Sequence, residues 1–217
     1  MIAAIGVAGL IFYYSKDLPD TATLQKYEPP VTTRLHANDG SILAEYSHER
    51  RLFLPNSAIQ QLVKQAFISA EDKNFYSHTG IDPEGVLRAV MVLAEGGRHV
   101  QGASTITQQV AKNFLVGNER SYDRKIREAL ISLRIEGAYT KEHILELYLN
   151  EIYLGLGNYG VAAAALNYFN KSVNELTLAE AAYLAALPKG PNNYHPFQQR
   201  ERAIERRNYV IDRMEAD

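Results

Sequence analysis

Apolar residues recur at Ile59, Leu62, Val63, Ala66, Phe67 and Ala70, the spacing of one face of an α-helix. Asn56 or Ser57 can cap that helix, and Glu71 falls on the same stripe, four residues after Phe67. Asp82-Pro83-Glu84 opens a second helix that ends at Gly96-Gly97. Its Val86, Leu87, Val90, Met91, Leu93 and Ala94 make it apolar almost all round, so it is either deeply buried or turned toward something greasy. Ser104 or Thr105 caps a third helix, with Ser104, Gln108 and Lys112 along one row and Ile106, Val110 and Phe114 along another. A fourth starts at Ser121 with the stripe Ile126, Leu130 and Leu133. Thr140 caps a fifth, with Ile144, Leu147 and Tyr148 at helical spacing, and an alanine-rich helix covers 161–169. Thr177-Leu178-Ala179-Glu180 reads as a capping box, and Pro188 stops the helix it opens. Residues 191–196 read as loop, and a charged helix carrying Arg206, Arg207, Val210, Ile211, Arg213 and Met214 closes the chain.

Strand alternation is confined to Val31, Thr33, Leu35 and Ala37, the turn Asn38-Asp39-Gly40, and Ile42, Ala44 and Tyr46 on the return. One short hairpin among so many helices predicts a mainly helical domain. Before it, residues 2–14 form an apolar run shorter than the roughly 20 residues that span a bilayer. No basic segment precedes the run and no small-residue cleavage site follows it. Tyr13-Tyr14 and Lys16 resemble an interfacial end, so residues 1–14 are read as the end of a truncated transmembrane anchor, against the alternative of a buried N-terminal helix. Residues 15–30, with Pro19, Pro29 and Pro30, read as linker, and residues 31–217 as one domain.

Composition narrows the chemistry. The 217 residues carry a net charge of -2, which argues against a general nucleic-acid binder. Cysteine is absent, which removes disulfides and thiolate catalysis. No His/Asp/Glu spacing suggests a metal site, and the turn at 155–160 lacks the preceding strand of a nucleotide loop.

Three clusters remain. Glu71, at the end of a core-facing stripe, is either a general acid or base tuned by Phe67 and Phe75, or a helix end whose carboxylate turns to water. The hydroxyl, amide and ammonium row of Ser104, Gln108 and Lys112 suits a sugar or a phosphate, or is an ordinary solvated face. Lys112, Arg120, Arg124, Lys125 and Arg127 outweigh Glu119 and Asp123, a local cationic excess that suggests an anionic ligand or a salt-bridged surface. Arg124 and Lys125 stand four and three residues before Glu128 and can meet it on one helix side.

Five stretches in order resemble a known family: 71–80 (EDKNFYSHTG), 102–109 (GASTITQQ), 124–128 (RKIRE), 141–150 (KEHILELYLN) and 206–210 (RRNYV). From about residue 30 to the C-terminus the chain is similar to the transglycosylase module of class A penicillin-binding proteins, the peptidoglycan glycosyltransferases. It lacks the Ser-x-x-Lys and Lys-Thr-Gly of a transpeptidase, which implies either a truncated piece or a monofunctional relative. The resemblance implies a lysozyme-like helical fold of two lobes with a cleft between them. The smaller, membrane-side lobe would be built from residues near 82 to 127. It implies polymerisation of lipid II into a growing glycan chain by inverting transfer, with Glu71 as base and Glu128 as second catalytic carboxylate. Ser104, Thr105, Gln108 and Gln109 would contact donor sugar or phosphate. Lys112, Arg120, Arg124 and Lys125 would stabilise the undecaprenyl pyrophosphate that leaves. Asp72, Phe75 and His78 would support the turn. The helix from Pro83 to Ala94, with Phe114 and Leu115, would rest on the membrane. A divalent cation, Mg or Mn, assisting the pyrophosphate is compatible with the family but has no ligand pattern here. The implied setting is the periplasmic side of a bacterial inner membrane, beside a transpeptidase domain or other cell-wall synthesis proteins, with phosphoglycolipids of the moenomycin type as inhibitors. Two rivals stand against this reading: a lysozyme-like enzyme that cleaves glycan, which needs no cations for a sugar leaving group, and a non-catalytic membrane-anchored scaffold.

Overall fold

The computed structural model describes residues 13–16, 18–25, 33–39, 42–46, 49–94, 104–116 and 122–217. In chain order the elements are α1 (Ala22–Gln25), β1 (Thr33–His36), β2 (Ile42–Tyr46), β3 (Arg50–Arg51), α2 (Gln61–Glu71), α3 (Pro83–Ala94) and α4 (Ile106–Ala111). They continue with α5 (Tyr122–Ala138), α6 (Lys141–Glu151), β4 (Asn158–Tyr159), α7 (Val161–Phe169), α8 (Leu178–Ala186) and α9 (Arg200–Ala216). The mainly helical class expected from the sequence holds. The hairpin is present: β1 and β2 pair antiparallel, Thr33 opposite Tyr46, with an irregularity between Leu35 and His36. A second pairing was not anticipated, a two-residue parallel ladder of β3 with β4. The apolar start of the expected anchor (residues 2–12), Gly96-Gly97, Arg120 and Ser121 lie outside the described residues. Among the described residues no helix is long and apolar enough to cross a membrane.

The chain divides into two compact units, Met1–Tyr27 with Asn74–Leu145, and Glu28–Lys73 with Glu146–Asp217. The first is wider than the lobe expected at 82–127. In it α4 packs on α5, burying Ile106, Val110 and Ala111 with Ile131 and Ile135. The buried stripe of α5 is Glu128, Ile131, Ser132 and Ile135, while Ile126 and Leu130 are half-buried and Leu133 is exposed. This corrects the stripe read from apolar spacing. Polar residues can occupy the inner face because each is satisfied there: Ser132 Oγ donates to the Glu128 carbonyl at 2.6 Å, and cations close on the Glu128 carboxylate. Residues 15–25, read as linker, touch the same unit. Arg134 donates to the Ser15 carbonyl at 3.1 Å, Tyr139 to the Thr21 carbonyl at 2.6 Å, and Leu24 is buried.

In the second unit α2, α8 and α9 pack together, burying Val63, Ala66 and Phe67 with Leu184, Ala185, Ala203 and Val210. The alanine face of α7 is buried as well. The expected cap of α2 is displaced. Asn56–Ala58 is a separate 3-10 turn, and α2 starts at Gln61 with Gln60 as an N-cap that makes no side-chain cap. Extended backbone at Ile59 and Gln60 buries Ile59 and turns the Gln60 amide to the Leu176 carbonyl at 3.2 Å. Thr177 and Glu180 form the expected capping box on α8, and Pro188 sits in the 3-10 turn that ends it.

Candidate active site

In the first unit, α5 carries Arg124, Lys125 and Glu128 on one side, as the i,i+4 and i,i+3 spacing requires. The Glu128 carboxylate is buried, its side chain 3% exposed. Arg124 Nη1 lies 2.6 Å from one oxygen, and Lys125 Nζ donates to the other at 3.0 Å. The Lys125 ammonium also donates to Ser104 Oγ at 2.8 Å. One carboxylate thus orients two cations, and half-exposed Lys125 ties them to the residue just before α4. The cluster has a surplus of positive charge, and its ammonium is open to an incoming anion.

The neighbouring polar row divides by task. Thr105 is the N-cap of α4 and forms a capping box with Gln108: Gln108 N–H donates to Thr105 Oγ1 at 3.1 Å, and Thr105 N–H to Gln108 Oε1 at 3.0 Å. Thr105 Oγ1 donates in turn to the Gly80 carbonyl at 2.7 Å, and both side chains are buried. These two residues therefore build the support on which Ser104 sits. Gln109 is half-buried, and half-buried Lys112 begins a π-helical turn, Lys112–Val116. Arg120 lies outside the described residues.

The turn after α2 is held from within the first unit. His78 is buried, its Nδ1 accepts from the Gly80 N–H at 3.0 Å, and its ring meets buried Phe75 edge-on. Lys141 stands 4.6 Å over the Phe75 ring and 2.6 Å from Glu136, which also accepts from Thr107 Oγ1 at 2.6 Å. His78 and Phe75 thus have the supporting place expected of them. Asp72, in the second unit, is buried as C-cap of α2.

In the second unit Glu71 is the last residue of α2 and is half-buried. It ends the stripe of Val63, Ala66 and Phe67. Three residues given no site role in the sequence are linked through charge to Glu71 or to its neighbours. The Tyr148 phenol is pushed well above its usual range by burial and then by the Glu71 and Asp72 carboxylates. The Lys189 ammonium is pulled down by burial and by Arg206, and Glu71 opposes that shift. Buried Arg206 lies 4.4 Å over the Tyr209 ring. Periodicity assigned Tyr148 and Arg206 to helices without a further role, and Lys189, between Pro188 and Gly190, carries no periodic signal. Among the described residues no three His, Asp or Glu side chains gather as metal ligands.

The transglycosylase family model matches residues 39–215. Penicillin-binding protein 1A of Rickettsia bellii is 52% identical over 97% of this chain and 27% of its own length. Those of Aquifex aeolicus and Escherichia coli are 46% and 45% identical over 99% of this chain, and 30% and 25% of theirs. The chain spans about a quarter of the length of the curated relatives it matches. A crystal structure of penicillin-binding protein 1A from Haemophilus influenzae is 29% identical, with a TM-score of 0.48 over 87% of this chain and 18% of that chain.

Proposed function

This chain belongs to the transglycosylase family, and we propose that it is a peptidoglycan glycosyltransferase that polymerises lipid II with inversion at the anomeric carbon. The observation that carries the proposal is the triad of Arg124, Lys125 and Glu128, closed at 2.6 and 3.0 Å and tied to Ser104 at 2.8 Å. A glycan-cleaving enzyme expels a sugar hydroxyl and has no use for two oriented cations. A transferase that expels a pyrophosphate does, because negative charge gathers on the leaving oxygen as the bond breaks.

In the proposed reaction the 4-hydroxyl oxygen of the acceptor sugar forms a bond to the donor's anomeric carbon. The bond from that carbon to the pyrophosphate oxygen breaks, its electron pair leaves with undecaprenyl pyrophosphate, and the hydroxyl proton passes to Glu71. A base must be ionised to take the proton, which suits the half-buried place of Glu71 at the end of α2. Arg124 and Lys125 bind the departing phosphates, joined by Lys112 and Arg120. Glu128 acts chiefly by holding the two cations in place. Ser104 and Gln109 contact the donor, and Thr105 and Gln108 shape the loop that presents Ser104.

The same reading places the protein at the outer face of a bacterial inner membrane, with residues 1–14 as the end of an anchor and 15–30 as linker. Val86, Leu87 and Met91 of α3 are exposed, the greasy-face alternative rather than the buried one, and suit contact with lipid. The partners are lipid II, the growing glycan, a transpeptidase domain or other cell-wall synthesis proteins, and moenomycin-type inhibitors.

Incubation with lipid II tests the proposal. The expected result is glycan polymer from the native chain and none from a folded Glu71→Gln variant. Shortening of preformed glycan would favour the hydrolase, and polymer from Glu71→Gln would overturn the base assignment.

A further inference from the structure

Tyr148 presents a cost without a visible return. Its side chain is fully buried in the second unit, and its hydroxyl has no hydrogen-bond partner. A buried hydroxyl left unsatisfied destabilises a fold, and phenylalanine would fill the same space without that cost. The ring itself is well placed. It meets Phe67 edge-on, with centroids 6.1 Å apart and planes at 75°. Phe67 lies one helical turn before Glu71 on the same face of α2, so the Tyr148 ring packs against the stripe that Glu71 ends.

We infer that Tyr148 is a positioning residue for Glu71, its hydroxyl a buried donor reserved for the carboxylate in the working complex. The inference rests on Glu71 being the base. Catalytic hydrogen bonds are commonly long or unmade without substrate and tighten when the complex forms. Among the charged groups here, Asp72 caps α2 beside Glu71, Lys189 in the turn after α8 feels the Glu71 charge, and Arg206 of α9 acts on Lys189. Of the groups named here, Tyr148 is the neutral donor, and burial with the two carboxylates keeps its proton on at any working pH. A neutral donor to a carboxylate does two things. It favours the ionised form that accepts a proton, and it holds the oxygen pair in one orientation without an ion pair strong enough to suppress basicity.

Tyr148→Phe tests this, with lipid II as substrate and the chain otherwise native. The ring contact with Phe67 is kept and the orphan hydroxyl removed, so the melting temperature should be unchanged or higher. kcat should fall about tenfold with KM within about twofold, and the acid limb of the kcat profile should move up by about one pH unit. Unchanged kcat and an unshifted acid limb would overturn the inference. So would a marked loss of melting temperature, which would make the hydroxyl a structural group. The two readings fail separately: an active Glu71→Gln variant removes the base assignment whatever Tyr148 does, whereas an inactive Glu71→Gln beside a native-like Tyr148→Phe removes only Tyr148.

Discussion

The Lys125 ammonium stands 3.0 Å from the Glu128 carboxylate and is still half exposed, whereas the Arg124 guanidinium, 2.6 Å from the same carboxylate, is largely covered. The two cations therefore differ in what they can give. Arg124 meets Glu128 from a largely covered position, and Lys125 is the more accessible of the two to a ligand. Lys125→Ala should change stability by no more than about 0.5 kcal/mol, because exposed pairs contribute little. It should weaken a pyrophosphate-bearing donor analogue about tenfold, the loss of one charge-assisted contact. Glu128→Gln should instead cost about 2–4 kcal/mol by removing the buried carboxylate charge that closes on covered Arg124. Denaturant unfolding and titration with the analogue check both. An equal loss of affinity for a phosphate-free analogue would remove the leaving-group role from Lys125.

Leu87 and Met91 are each more than half exposed on α3, so replacing them removes little core contact. The double variant Leu87→Glu, Met91→Glu should unfold within about 0.5 kcal/mol of the native chain. It should bind anionic vesicles less well and polymerise bilayer-embedded lipid II more slowly, while turnover of a short-tailed soluble analogue is unchanged. Vesicle co-sedimentation with parallel assays checks this, and equal loss on both substrates would count against a lipid-facing α3.

The comparison of α5 with α8 shows which parts of the fold can be read from sequence. Thr177 and Glu180 stand three apart before an alanine-leucine helix, a local pattern whose meaning does not depend on the rest of the chain, and the capping box is where it was expected. Thr105 and Gln108 make the same motif, and Thr105 was one of the two caps expected, but Gln108 also fits a ligand-facing row with Ser104 and Lys112, and that reading hid its half of the box. On α5 the inner stripe includes Glu128 and Ser132, residue types that apolar counting assigns to solvent. Only the partners at 2.6 and 3.0 Å make the carboxylate acceptable there. The spacing of Arg124, Lys125 and Glu128 was nonetheless visible, because helical geometry alone brings those positions together. Tyr148 was visible as a helix residue and invisible as a partner of Phe67 on the Glu71 stripe, since that contact joins residues far apart in the chain. The β3–β4 ladder is two residues long and has no alternation to detect.

Gly80 and Gly137 should respond to alanine in opposite directions. Gly80 has φ +97°, and a Cβ there would stand 2.8 Å from the Ser132 backbone oxygen, where α5 cannot yield. Gly80→Ala should cost about 1–3 kcal/mol and loosen the turn that Thr105 binds. Gly137, inside α5, would have nothing within 4 Å of its new Cβ. Gly137→Ala should stabilise by about 0.5–1 kcal/mol through helix propensity. Equilibrium unfolding of the two single variants is sufficient, and a stable Gly80→Ala would contradict the close approach to Ser132.

Glu180 provides a pH test independent of catalysis. Lys171 Nζ reaches its two oxygens at 2.8 and 3.0 Å, and the Thr177 N–H donates at 2.8 Å. These contacts, the lysine first, hold its carboxyl below the ordinary 4.5. Because the folded value is the lower one, the unfolded chain binds more protons between the two values. The stabilisation is therefore complete above the ordinary value and is lost as pH falls through the folded one. Lys171→Met should lower the melting temperature at pH 7 modestly, the loss of stability being less than about 1 kcal/mol for so exposed a pair. As pH falls through the lowered folded value, the variant and native curves should converge, since the protonated carboxyl no longer attracts the lysine. Calorimetry from pH 7 to 3 measures this. A constant offset across that range would mean that Lys171 stabilises through its methylene stem rather than its charge.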